Sequence, residues 1–326
     1  MVQAQIYLTI LMAGSALDLF RQSFNGYFGG LGKTRVVLLS TFAMALANVF
    51  ANYVLIFGKL GFPALGILGA GYGTLFAWFI GLITLCIVYF RQIQFPEYQL
   101  LKSFQLDLGI LKKLVRFGLA SGLRITLLIF AIDLTILAFQ SYGVEVSTAI
   151  TVVFTWFQTL FIPVIGLEIG TMSLAGRFVG ARDPDSASDS VFSGLFLASC
   201  YALILSLACL LVTPTMVGIF LEPDSSAATR NLAIWGTQLN AFMMFILAWS
   251  SILGGALRGA GDTYGVMIIS AVFWWFQYAL VVIMIRLFEL SPSVVLGIHI
   301  FSSPLLLFAL IGRFRSGAWR KFELIG

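Results

Sequence analysis

Gly29–Thr34 reads GGLGKT, and Arg258–Thr263 reads RGAGDT, 229 positions further on. Each stretch closes one apolar run and is followed at once by another. Glycine here is helix-stop punctuation. Downstream, Pro63–Ile67 (PALGI) matches Val294–Ile298 (VVLGI) after a shift of two. A repeat of this period implies two copies of one multi-helix unit.

Working outward from the two stretches, nine apolar segments are legible, at 4–28, 36–57, 70–90, 114–140, 147–175, 190–212, 232–255, 266–287 and 292–312. Of the 326 residues, 60% are hydrophobic and 10% charged, and the mean hydropathy is +1.00. Soluble domains carry about 25% charged residues. A chain this poor in charge cannot cover a surface in water, whereas apolar runs of roughly 20 residues span a bilayer as helices. The expected fold class is an all-α membrane protein with about nine transmembrane helices.

The repeat divides the chain. Residues 1–91 form a bundle of three helices, 92–113 a linker, and 114–326 a bundle of six. Within Phe95–Lys113, Leu100, Leu101, Phe104, Leu108 and Leu111 recur at near-helical spacing, which predicts an amphipathic helix at the cytoplasmic interface. Three helices precede the repeated trio in the second copy and none in the first. The chain is therefore expected to lack three N-terminal helices, on the order of 120 residues, of a twelve-helix protein. Six helices per copy is an even number. The two bundles are thus expected to be pseudo-symmetric parallel repeats about an axis along the membrane normal, with a substrate cavity between them.

Of the 19 Lys and Arg residues, 14 fall in alternate loops and the C-terminal tail, and 3 on the opposite side. That asymmetry orients the C-terminus to the cytoplasm of a plasma-membrane, multi-pass protein. It also accounts for the net charge of +5 without a nucleic-acid partner. Cys86, Cys200 and Cys209 lie within apolar runs, where packing is the expected role. His299, the single histidine, is read as structural. No nucleophile–base pair or metal-ligand spacing is present, so an enzyme is not expected, and GGLGKT fails the phosphate-loop spacing.

A coupled transporter needs intramembrane groups that respond to an ion, and ionisable residues inside a membrane helix are costly enough to be functional candidates. Asp18, Gln22 and Asn25 share one helix face. Thr41, Asn48 and Asn52 share a face of the next helix, and Tyr72 and Thr74 open the third. A carboxylate, carboxamides and a hydroxyl could ligate Na⁺. The same carboxylate, desolvated, could take up H⁺ instead. Asn48 and Asn52 read equally well as interhelical glue. Arg124 and Glu168, at similar depth on adjacent helices, are expected to form a structural ion pair. Asp133 lies on the opposite helix face from Arg124 with no partner in view, and is the second coupling candidate. Phe154, Trp156, Phe157, Met243, Met244 and Phe273–Trp275 suit a promiscuous apolar cavity, and Pro163 predicts a kink.

The stretches FNGYFGGLGKTR (24–35), NVFANYVLIFGKLGFPALGILGAGYGT (48–74), RFGLASGLR (116–124), FIPVIGLEIGTMSLAGRFVGARDP (161–184) and GGALRGAGDT (254–263) resemble the multidrug and toxic compound extrusion family in its own order. The resemblance covers that family's fourth to twelfth helices. It implies a secondary antiporter exporting organic, often cationic and amphipathic compounds against Na⁺ or H⁺, with no other cofactor, and expected to act as a monomer. It also implies that positions matching Asn48, Asn52 and Thr74 serve a cation or proton site, whose aspartate lies on the family's first helix. Leu128 and Leu247 stand where many members carry a glutamate and an aspartate, so a site built on those two acids is not expected. The alternatives are a flippase for lipid-linked or polysaccharide substrates, and a truncated, non-transporting membrane protein.

Overall fold

The computed structural model of the protein describes residues 2–92, 107–221, 224–317 and 319. Every regular element among them is helical. In chain order they are α1 (Val2–Gly30), α2 (Thr34–Phe57), α3 (Ile67–Gln92), α4 (Leu108–Phe139), a 3₁₀ turn (Gln140–Tyr142), α5 (Val144–Gly180), α6 (Pro184–Phe220), α7 (Ala227–Gly259), α8 (Thr263–Arg286), α9 (Pro292–Phe301) and α10 (Pro304–Arg315). They divide into two compact units, Met1–Asp107 and Leu108–Gly326. Most of the amphipathic linker lies outside the described residues. Its last part, from Leu108, is the first turn of α4.

Among the described residues, with α9 and α10 taken together, eight stretches are long and apolar enough to cross a bilayer. α1 has the length, at 29 residues, but Ser15, Asp18, Arg21, Gln22, Ser23 and Asn25 lower its hydropathy. The ninth sequence segment is one continuous run, yet the helix breaks at Ser302–Ser303, where Pro304 supplies no N–H. α5 continues through Pro163.

The repeated glycine stretches are one turn built twice. After α1, Leu31 N donates to Tyr27 O (3.1 Å), Gly32 N to Gly29 O (3.1 Å) and Lys33 N to Phe28 O (2.9 Å). After α7, Ala260 N donates to Ala256 O (2.9 Å), Gly261 N to Arg258 O (3.0 Å) and Asp262 N to Leu257 O (2.9 Å). Gly32 and Gly261 have φ of 71° and 96°, the left-handed backbone that closes a helix and satisfies its last carbonyls. The same three bonds recur after α5, from Ala181, Arg182 and Asp183 to Arg177, Val179 and Phe178. There Arg182 takes the left-handed position, at φ 59°.

In the first unit, α3 presents Gly69, Gly73, Ala77 and Gly81 to α2. Gly69 lies on the Leu55 backbone, Gly73 on Asn52, and Gly81 against Met44. Ser40 Oγ donates to Gly81 O at 2.8 Å. In lipid, such small-residue stripes and interhelical hydrogen bonds stand in for the hydrophobic force that acts in water. In the second unit, α7 is the hub. Its most apolar stretch is 61% buried, against 17–28% for α4, α5, α6 and α8, so those four pack around it with most of their residues outside the core. Val153 meets Gly236, Glu168 meets Gly255 and Met172 meets Gly259, so α5 and α7 run parallel. α6 lies antiparallel to both, with Tyr201 OH bonding Leu160 O (2.7 Å), Ser206 Oγ bonding Ala241 O (2.7 Å) and Trp249 Nε1 bonding Ser199 Oγ (2.8 Å).

The shared turn makes opposite predictions at two positions. Gly261→Ala should cost about 1–2 kcal/mol, the left-handed penalty of a residue with a Cβ. Arg182→Gly should relieve that penalty and raise the thermal unfolding midpoint in detergent. Equal falls for both variants would show that backbone conformation does not govern these turns.

Candidate functional site

The first unit brings its polar candidates into two groups. On α1, Asp18 Oδ1 accepts from Arg21 Nε (2.8 Å) and Nη2 (2.6 Å), and Oδ2 accepts from Gln22 Nε2 (2.6 Å). Asp18 is therefore held in an ion pair one turn long, with both partners mostly buried. A methyl at Gly81 would sit 3.1 Å from Arg21 Cδ and 3.3 Å from Met44 Cβ, so the pair lies where α1, α2 and α3 converge. On α2, Asn52 Nδ2 donates to Asn48 Oδ1 at 3.1 Å. Asn52 Oδ1 faces Gly73 of α3 and, like Asn25 Oδ1, is buried with no hydrogen-bond partner. Thr74 bonds back to Ala70 O (2.9 Å) and Thr41 to Val37 O (2.9 Å). No hydrogen bond joins the aspartate group to the asparagine pair. Carboxamide oxygens are of the kind that can ligate a hard cation or accept from a water.

The second unit holds a cavity of about 820 Å³ among α4, α5, α7, α8 and α10. Its walls are mostly apolar, with Ile125, Ile129, Ile162, Ile165, Phe161 and Trp274 among them. Four charged side chains reach it: Arg124, Asp133, Glu168 and Arg258. Asp133 is exposed there and makes no hydrogen bond or ion pair among the described residues. It stands nine residues along α4 from Arg124, about 13.5 Å by helix rise.

The expected Arg124–Glu168 pair does not form. Glu168 pairs with Arg258 of α7 and accepts from Ser251 Oγ on the same helix. The reason is local. A methyl at Gly255, between Ser251 and Arg258, would lie 2.8 Å from Glu168 Cγ, so the missing side chain lets α5 reach the α7 backbone. Arg124 lies within electrostatic reach of both members of the pair. Its Nε is buried and unpartnered.

Sequence reasoning missed Ser251 and Arg258. Arg258 counts there as a cytoplasmic loop charge, yet it lies in the last turn of α7 and is mostly buried. The signal was available, since Leu247, Ser251 and Arg258 recur at intervals of four and seven, on one helix face. It also missed a polar chamber at the α9–α10 break, taken up below.

The chain is similar to known proteins along its whole length. A family model described as MatE matches residues 123–283. The probable multidrug resistance protein NorM of Thermotoga maritima is 26% identical over 98% of this chain and 68% of its own length. The uncharacterized transporter YisQ of Bacillus subtilis is 27% identical over 84% and 60%, and a probable NorM of Mannheimia succiniciproducens 28% over 82% and 58%. The chain thus spans about three-fifths to two-thirds of these curated relatives. Among solved structures, a MATE protein in complex with MaL6 superposes with a TM-score of 0.85 at 19% identity, covering 97% of this chain and 70% of that one. An outward-facing multidrug resistance MATE family transporter of the MOP superfamily gives 0.85 at 20%, over 97% and 70%. By family match, relatives and fold, this multi-pass membrane protein belongs to the multidrug and toxic compound extrusion family, a family of transporters and not of enzymes.

Proposed function

We propose that the chain serves multidrug export, as a secondary antiporter moving organic, cationic amphipathic compounds across the plasma membrane in exchange for Na⁺ or H⁺ by alternating access. The observation that carries this reading is the cavity of about 820 Å³ in the second unit, apolar in lining and bearing an unpaired carboxylate. Apolar walls accept many shapes, and a few charged groups orient a ligand. Glu168 is already neutralised by Arg258, so Asp133 is the acid left to attract a cation or to exchange a proton.

Ion coupling in the first unit rests, on this reading, with Asp18, Gln22, Asn48, Asn52 and Thr74. Arg21 supplies the counter-charge to the Asp18 carboxylate. An arriving cation would compete with that arginine for the carboxylate. The protein works as a monomer with its C-terminus in the cytoplasm. The flippase reading calls for a cavity of net positive charge. Here two arginines face two acids, which favours the antiporter.

Ethidium efflux from cells expressing the full chain tests both sites. Asp133→Asn should cut the initial rate by about tenfold, equal to 1.4 kcal/mol of lost transition-state stabilisation. An unchanged rate would remove Asp133 from substrate attraction and coupling. In proteoliposomes, Asp18→Asn should abolish the acceleration produced by an imposed Na⁺ or pH gradient while leaving dye binding intact. Retention of gradient-driven transport in that variant would remove Asp18 from coupling.

A further inference from the structure

Pro304 has a consequence one turn upstream. Lacking an N–H, it cannot bond the Ile300 carbonyl, which accepts from Ser303 N instead (3.2 Å). Ser303 N is thereby withdrawn from the His299 carbonyl, its regular helical acceptor. That orphaned carbonyl takes two replacement donors, Ser302 Oγ (2.7 Å) and Gln277 Nε2 of α8 (2.8 Å). Gln277 Nε2 also donates to Ser302 Oγ (2.7 Å). With both amide hydrogens committed, the orientation of the Gln277 carboxamide is fixed, and its Oε1 is left facing away from the break.

Gln277 Oε1 and His299 Nδ1 are both buried with no hydrogen-bond partner, on side chains only 1% and 8% exposed. Both residues border a narrow chamber of about 30 Å³, together with Asn240 and Ser303. That volume is one water's share of the liquid, and the polar lining offers the two to four partners a buried water requires. The other walls are uncharged. They are Ile132 of α4, Phe154 and Phe157 of α5, Leu247 of α7, Trp274 of α8, and Leu296 and Ile300 of α9. Ile132, Phe157, Leu247 and Trp274 also line the large cavity, so one layer of side chains separates the two spaces. The charged groups beyond that layer are Asp133, Arg124 and the Glu168–Arg258 pair. His299 is the one titratable group on the chamber itself, and it sits in the last turn of α9, where the helix dipole favours a cation.

We propose that this chamber is a proton site of the second unit, in which one water bridges His299 Nδ1 and Gln277 Oε1 and delivers a proton to the imidazole. The proton comes from hydronium in the adjoining cavity. It passes to the chamber water and on to the Nδ1 lone pair, so a water is returned and the imidazolium carries the charge. Its new N–H then donates through the bridging water to Gln277 Oε1. The lining favours a proton over an alkali cation, because an imidazole nitrogen and neutral amides offer a hard cation no carboxylate. This site is independent of the roles proposed for Asp18 and Asp133.

Because the chain has one histidine, ¹⁵N-histidine labelling gives a single-site readout. The full chain, purified without a histidine tag and held in nanodiscs, would be followed by solid-state NMR from pH 8 to pH 5. The expected result is reversible conversion of the one imidazole from a neutral tautomer to imidazolium, with exchange cross-peaks to water at Nδ1. In Gln277→Leu the imidazolium fraction at pH 5.5 should fall at least about threefold, since a hydrogen bond favouring the charged form is lost. Gln277→Leu also strips the His299 carbonyl of a donor. If it does not fold, Gln277→Glu carries the comparison with the sign reversed, since a carboxylate on the bridging water should raise that fraction. An imidazole that stays neutral to pH 5 in the folded protein would overturn the proposal. So would an imidazolium fraction unchanged by the folded variant.

Discussion

Inside a bilayer no water is at hand to satisfy a backbone N–H or C=O, and that constraint governs the whole molecule. Helix interiors meet it automatically, so the informative places are helix ends and breaks. The turns after α1, α5 and α7 meet it with the same three hydrogen bonds. Two use glycine at the left-handed position and one uses Arg182. The break at Ser302–Ser303 meets it differently, by borrowing the Gln277 amide from a neighbouring helix. A local turn exports nothing. A borrowed donor ties α8 to α9 and fixes a side chain that would otherwise rotate.

Close packing follows from the same solvent. Lipid tails are as apolar as leucine, so helices gain little by hiding leucines from them, and association depends on fit and on polar bonds. Gly255 and Gly259 sit one turn apart on α7 and bring α5 onto its backbone. Arg258 lies between them, and Ser251 one turn before Gly255, so the surface that permits the approach also carries the partners of Glu168. The stretch that ends α7 thus stops a helix, docks a second one and neutralises an acid. At its counterpart after α1, a side chain added at Gly26 or Gly30 would meet nothing within 4 Å among the described residues.

Most of the fold was legible in the sequence because hydrophobic runs and glycine stops report the constraint directly. The helix count and the repeat both rest on features that any single helix must display. Pairings between helices were less legible. Arg124 and Glu168 were matched by depth along neighbouring helices, a one-dimensional argument. The partner was decided sideways, by the absent side chain at Gly255. Arg258 was hidden for a related reason. A charge near a glycine-rich stop reads as a loop charge, although the helix continues through it to Gly259. The break in the last span was written as Ser302-Ser303-Pro304. A proline directly after a serine pair is so common at helix starts that its effect on His299 and Gln277 required the neighbouring helix to be seen.

Charges buried in a membrane protein are costly, and the four around the large cavity are not treated alike. Glu168 and Arg258 neutralise each other, with Ser251 adding a hydrogen bond. Arg124 and Asp133 lie on one helix, nine residues apart, too distant to pair directly. Two unpaired groups of opposite sign in one apolar space cancel in net charge but leave a strong local field at each end. On the proposed reading, such a field would orient a charged ligand along α4 without closing on it, which tight ion pairing would prevent. In the first unit the arrangement is reversed, because Asp18 has its arginine three residues away and is held. One acid is therefore free to meet a solute, and the other must first be released from its partner. On the proposed reading, that difference would separate a group that attracts cargo from a group that registers the arrival of an ion.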